Sequence, residues 1–328
     1  MYDLDLDRAI GIVKEHGYGL VGLQFPEGLK ERAVEVVEAI RTLGCEAIVS
    51  ADPCYGACDL ADEAMAPLGV EAIIHFGHTP MPGRTTMPVH FIEVLSNADP
   101  LPLLAQNIGR LGKKVGLVAT VQHLHTLEKV RAFLEEKGIE VYVGGGKGRA
   151  RYPGQVLGCS FQAAREVADR VDTIVFIGSG DFHPLGVALA TGKRTLAVDV
   201  LMGEVREMEP LVEKVLRQRY LRIGMVKDAK TFGIILGGRR GQERKLLAMR
   251  LKEELEKRGK KAYLLQLREI TPEALLPFRK LDAFVNTACP RVAIDDGPRY
   301  KKPLLTPMEL EMALGERSQE RYEMDEIP

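Results

Sequence analysis

The chain has 328 residues, five cysteines and no tryptophan, and its 45 basic against 46 acidic residues leave a net charge of -1. This length suits about two domains of ordinary size and excludes a small disulfide-stapled module, and a composition this close to the globular average excludes wholesale disorder. The charge balance argues against a global polyanion-binding surface, and so against direct nucleic-acid binding.

The start, MYDLDLDRAIGIVKEHG, places Asp3, Asp5 and Asp7 before any basic residue, unlike the basic and then apolar opening of a secretory signal. No uncharged apolar run approaches the ~18 residues that span a bilayer. The expected location is cytoplasmic and away from membranes, where thiols are buried, catalytic or metal-bound rather than disulfide-paired.

Three stretches then share one grammar: an apolar β-rich run, an amphipathic helix closed by glycine, and a second apolar run. The first is GLVGLQF (19–25), a helix around Leu29, Ala33, Val36, Val37, Ile40 and Leu43, then Gly44 and CEAIVSAD. The second is KKVGLVAT (113–120), a helix through Leu127, Val130 and Leu134, then Gly138 and IEVYVGG. The third is TFGIILGG (231–238), a helix through Leu247, Leu251 and Leu255, then Gly259 and KKAYLLQL. Apolar residues three and four apart make one buried stripe, and the glycine supplies the left-handed residue that stops each helix.

Each unit continues with a third strand, in EAIIHFGHTP (71–80), DTIVFIGSGDFHP (172–184) and DAFVNTACPR (282–291), and a fourth, in PVHFIEV (88–94), RTLAVDV (194–200) and KPLLTP (302–307). The pattern predicts an α/β fold of three pseudo-repeated small parallel-sheet domains, near 1–100, 101–205 and 206–328, with helices covering the sheets. The charged tail GERSQERYEMDEIP, Gly315 to Pro328, reads as an exposed end.

In open parallel sheets, ligands bind at the carboxyl ends of strands. Cys54 and Cys58 lie just after the second strand of the first unit, Cys159 in the loop after the second strand of the second, and Cys289 directly after the third strand of the third. Cys45 opens a strand after a helix-capping glycine and so belongs at the opposite end of its sheet, as a small buried residue. A lone cysteine is most simply a packed apolar residue. Strand-following cysteines in every unit, in loops rich in glycine or proline, are positioned to meet at a central point.

Local motifs decide little. Cys54 and Cys58 open a C-x3-C-x2-C pattern that Ala61 fails to complete, and paired zinc-ligand spacing is missing nearby. GGGKG (144–148) is not a phosphate loop, because Val141 and Gly148 stand where glycine and Ser or Thr are needed. GSGDFHPLG (178–186) places His183 where a dinucleotide fingerprint has its last glycine. GGRRGQ (237–242) joins glycines to Arg239 and Arg240 after a strand. Turn and core roles suit most of His75, His78, His123, His125 and His183, which cluster near strand ends, and neither a Ser/His/Asp order nor a nucleophile elbow is present.

DPCYGACDLAD, PGQVLGCSF and NTACPRVAIDD, in this order and in a three-unit frame, closely resemble the archaeal diphthamide-synthesis enzymes, the 2-(3-amino-3-carboxypropyl)histidine synthases. The resemblance covers nearly the whole chain, and the three cysteine segments are its specific part. It implies that Cys58, Cys159 and Cys289 hold one 4Fe-4S cluster at the centre of three α/β domains, and it gives no such role to Cys54 or Cys45. It implies one open iron, S-adenosylmethionine (SAM) cleaved between sulfur and γ-carbon, and transfer of the 3-amino-3-carboxypropyl group to a histidine of translation elongation factor 2. A homodimer and an electron donor are implied as well. Strand-end placement nominates Gly178, Gly180, His183, Arg239 and Arg291 as SAM contacts. Two rival readings are a quinolinate synthase-like 4Fe-4S dehydratase and a noncatalytic α/β ligand-binding protein whose cysteines are core residues.

Overall fold

Apolar runs of four to seven residues pair as the inner strands of three separate sheets, which the computed structural model describes over residues 2–318 and 320–327. In the first unit, β1 (Leu20–Gln24), β2 (Glu46–Val49), β3 (Ala72–Phe76) and β4 (Val89–Ile92) form a parallel sheet in the order β2-β1-β3-β4. The second unit has β5 (Lys114–Ala119), β6 (Glu140–Tyr142), β7 (Thr173–Gly178) and β8 (Arg194–Asp199) in the equivalent order β6-β5-β7-β8. The third repeats it with β10 (Thr231–Gly237), β11 (Lys261–Leu267), β12 (Ala283–Asn286) and β13 (Leu304–Leu305) as β11-β10-β12-β13. All of these pairs are parallel, which demands a crossover after each strand and places loop-borne residues at the same sheet end in each unit.

The expected stripes are the buried faces of the crossover helices. Ala33–Arg41 buries Val36, Val37 and Ile40, Leu127–Glu136 buries Leu127, Val130 and Leu134, and Lys245–Lys257 buries Ala248, Leu251 and Leu255. Cys45 is a core residue packed with the first-unit helix, as its position predicts. Among the described residues, no helix is long and apolar enough to cross a membrane.

Two features depart from the expectation. A short strand, β9 (Glu204–Glu207), runs antiparallel to β8 and extends the second sheet, so residue 205 falls inside it. Its alternating charges hide it, because Arg206 is committed to Asp181, Asp199 and Glu204. The tail is not an exposed end. Tyr322, Met324, Asp325 and Ile327 are buried, and Tyr322 and Met324 join the apolar core shared by the second and third units; Gln319 and Pro328 lie outside the described residues. Asp325 pairs with Arg244 at 2.6 Å, Glu326 receives the Phe161 N–H at 2.6 Å, and the Ile327 N–H donates to the Cys159 carbonyl at 2.9 Å. The tail's charge, read in isolation, points to solvent, whereas these partners satisfy it inside the fold.

Candidate functional site

Cys58, Cys159 and Cys289 line one cavity of about 690 Å³. Burial pushes all three thiols up, Cys289 to about 12, and the Cys159 and Cys58 sulfurs raise Cys289 further. Each thiol is held by its own backbone. The Asn286 side-chain N–H donates to the Cys289 carbonyl at 2.7 Å, the Cys159 carbonyl is tied to the tail, and the Gly241 N–H donates to the Cys58 carbonyl at 3.2 Å.

That last contact brings a third-unit loop against a first-unit loop. A Cβ at Gly241 would lie 2.4 Å from the Cys58 Cα, so only glycine allows the approach. The same loop supplies Gln242, whose Nε2 donates to the Cys58 sulfur at 3.3 Å. Arg149 joins from the second unit, with Nη1 3.8 Å from the Cys159 sulfur and Nη2 donating to the Gly241 carbonyl at 2.6 Å. Arg239 is buried, sits 2.8 Å from Asp59, pairs with Glu269 and lies over the Tyr55 ring. Its charge locks the residue after Cys58 to the third unit.

Of the residues nominated for SAM, His183, Arg239 and Arg291 line the cavity, whereas Gly178 and Gly180 do not. Gly178 ends β7, where a Cβ would strike the Phe176 ring at 2.5 Å, and Gly180, at φ +67, donates its N–H to Asp199 at 2.8 Å. Both shape the turn that delivers Phe182 and His183. Burial, followed by the charge of Arg291, pushes His183 down to about 3, so its imidazole is neutral at physiological pH.

Arg291 is only 3% exposed and stacks 4.1 Å from the Phe182 ring centre. Its Nη2 donates to the Phe182 carbonyl at 2.7 Å and to Asp295 at 2.8 Å, while Nε and Nη1 find no partner among the described residues. A buried guanidinium with an unpaired edge is costly unless an anion completes it. Asp295 is itself pushed up to about 6 by burial.

Sequence patterning misses Gln242, Arg149, Asp295 and Phe182. Gln242 ends the GGRRGQ stretch and Arg149 follows the glycine run at 144–148, so both sit beside segments that draw attention for another reason. Their approach to the sulfurs depends on how two units meet, which periodicity does not encode.

A cavity at the carboxyl ends of three pseudo-repeated parallel sheets, walled by one thiol from each and by a buried arginine with an open edge, is the arrangement of an α/β enzyme whose candidate site lies between units. The family model described as a diphthamide synthesis protein matches residues 25–324. The chain is 37% identical to the 2-(3-amino-3-carboxypropyl)histidine synthase of Pyrococcus horikoshii, over 100% of this chain and 94% of that one. It is 30% identical to subunit 1 of the Caenorhabditis elegans enzyme of that name, over 95% of this chain and 80% of that one. The crystal structure of Dph2 from Pyrococcus horikoshii with 4Fe-4S cluster superposes with a TM-score of 0.92 at 37% identity, covering 100% of this chain and 95% of that one. The chain belongs to the diphthamide-synthesis family and is a transferase. That membership sets aside the quinolinate synthase-like and noncatalytic readings.

Proposed function

We propose that this transferase moves the 3-amino-3-carboxypropyl group of SAM to a histidine of translation elongation factor 2, with Cys58, Cys159 and Cys289 as the three protein ligands of one 4Fe-4S cluster. The observation that carries the proposal is the shared cavity wall, to which each of the three units contributes one thiol. Three thiols, Cys159 buried and Cys58 and Cys289 half-buried, with no carboxylate paired to any of them among the described residues, fit an iron-sulfur cluster and suit a hard cation poorly. When bound, a cluster with three thiolate ligands keeps one iron open and supplies a single electron for cleaving the bond between the SAM sulfonium and its γ-carbon.

The chain's own residues do the rest. The unpaired Nε and Nη1 of Arg291 receive the methionyl carboxylate, with Asp295 holding the far side of the guanidinium. That fixes the amino-acid end of SAM against the thiol wall, so that positioning selects which carbon faces the centre. Neutral His183 and the Phe182 ring offer an uncharged wall beside it. Arg239, through Asp59, holds the Cys58 loop in place and is a positioning residue in this reading. Gly178 and Gly180 act by setting the turn before Phe182.

The three units act as three domains near 1–100, 101–205 and 206–328, with β9 closing the second. The enzyme works in the cytoplasm as a homodimer, with a separate electron donor. Anaerobic reconstitution of Cys58→Ala, Cys159→Ala, Cys289→Ala and Cys45→Ala, followed by iron and sulfide analysis, tests the ligand set. Loss of the cluster in the first three and retention in the last is the expected result; a full cluster in Cys159→Ala overturns it.

A further inference from the structure

A second set of metal-ligating side chains lies in the first unit, apart from the three thiols. Cys54, His75 and His78 each place one donor atom within 4.8 Å of the other two. Cys54 and His75 are buried, and among the described residues the Cys54 sulfur has only a 4.0 Å hydrogen-bond contact, with the Gly56 carbonyl.

The surroundings orient the donors. The Gln24 Nε2 donates to the Asp59 carbonyl at 2.7 Å and the Gln24 Oε1 accepts the Ala61 N–H at 3.1 Å, which fixes the amide's direction. That oxygen also lies 2.9 Å from His75 Nδ1, so Nδ1 carries the hydrogen and donates it. The His75 Nε2 lone pair then faces His78 Nδ1 at 2.9 Å. An imidazole anchored through its far N–H to a carbonyl oxygen is how proteins hold a metal-ligating histidine.

We propose that Cys54, His75 and His78 form a zinc(II) site beside the reaction cavity. One thiolate and two imidazoles are a borderline-soft set that suits tetrahedral zinc. Three protein ligands leave one position for water or a substrate donor, and His78 is the ligand that lines the cavity. Binding replaces the hydrogen bond between the histidines. The Cys54 thiol releases one proton to solvent as it coordinates, His78 moves its single ring proton from Nδ1 to Nε2 and stays neutral, and no oxidation state changes. Metal–ligand bonds of about 2.0–2.3 Å set the donors roughly 3.3–3.7 Å apart, so the two imidazole nitrogens, 2.9 Å apart here, move slightly apart while the Cys54 sulfur closes in by side-chain rotation. The site does not depend on the function proposed above.

The test is elemental analysis and zinc-edge X-ray absorption on the anaerobically reconstituted enzyme, equilibrated with zinc(II) and desalted. The expected result is stoichiometric zinc, with one sulfur neighbour at roughly 2.3 Å and nitrogen or oxygen neighbours at roughly 2.0–2.1 Å. Cys54→Ser should remove the sulfur neighbour and weaken zinc binding by at least about tenfold, which is already the cost of losing a residue that only supports a ligand, with iron content unchanged. His78→Gln should weaken it similarly while keeping the sulfur, and it decides the matter if Cys54→Ser fails to fold. Failure of the desalted enzyme to retain zinc overturns the site. So does zinc that keeps its sulfur neighbour in Cys54→Ser, because it would then sit on Cys58, Cys159 or Cys289, and so does zinc that neither substitution weakens.

Discussion

Gln242 donates one hydrogen bond to the Cys58 sulfur, and with Cys58 as a cluster ligand, as proposed, that bond bears on redox chemistry more than on stability. An N–H aimed at a ligating sulfur favours the reduced, more negative cluster. Gln242→Leu removes it at similar volume. A hydrogen bond of about 1 kcal/mol corresponds to roughly 40 mV for one electron. The cluster potential, measured by redox titration with electron paramagnetic resonance detection, should fall by that order, and an unchanged or raised potential would contradict the role. Asp295 sets a pH dependence on the same wall. Its carboxyl is pushed up to about 6, so above that pH it is ionised and offsets the charge of Arg291; as pH falls through 6 it becomes neutral and Arg291 attracts an anion more strongly. SAM affinity, measured by calorimetry, should rise on acidification by about 1 kcal/mol, or roughly fivefold, and Asp295→Asn should bind at the acidic level throughout. Flat affinity in the wild-type chain would contradict the placement of the carboxylate at Arg291.

At the scale of elements, the repeated strands and glycine-ended helices were legible because they obey local rules: period, helix stop and strand length. Gly44, Gly138 and Gly259 all take left-handed φ values, at +75, +77 and +71, as the stop signal requires. The tail obeys no local rule, since its acidic residues are matched by partners far away in sequence. Arg244 reaches Asp325 across 81 residues, and Tyr322 donates to Glu309, which also pairs with the buried Arg219. Asp325→Ala leaves Arg244 without its buried partner and should cost about 3–5 kcal/mol in denaturant unfolding. Because Ile327 holds the Cys159 carbonyl, deleting residues 317–328 should also shed iron faster under chelator challenge than the full chain does. A truncated chain equal to the full one in both respects would show that the tail is not structural.

For the whole molecule, three sheets with one strand order bring their carboxyl ends to a single cavity, and the cysteine loops lie there because of that topology. The sequence alone placed a cysteine at a sheet end in each unit but left Cys54 and Cys58 unresolved; the structure puts Cys58 on the cavity wall and directs Cys54 toward His75 and His78. Contacts between units, such as Gly241 against Cys58 and Arg149 against Cys159, were illegible because each joins segments that no local pattern relates. The most direct test of the reaction is product analysis after anaerobic reduction of the reconstituted enzyme with dithionite in the presence of SAM. Methylthioadenosine, accompanied by a product of the released aminocarboxypropyl fragment, is the expected outcome; 5′-deoxyadenosine in its place, or intact SAM, would contradict cleavage at the γ-carbon.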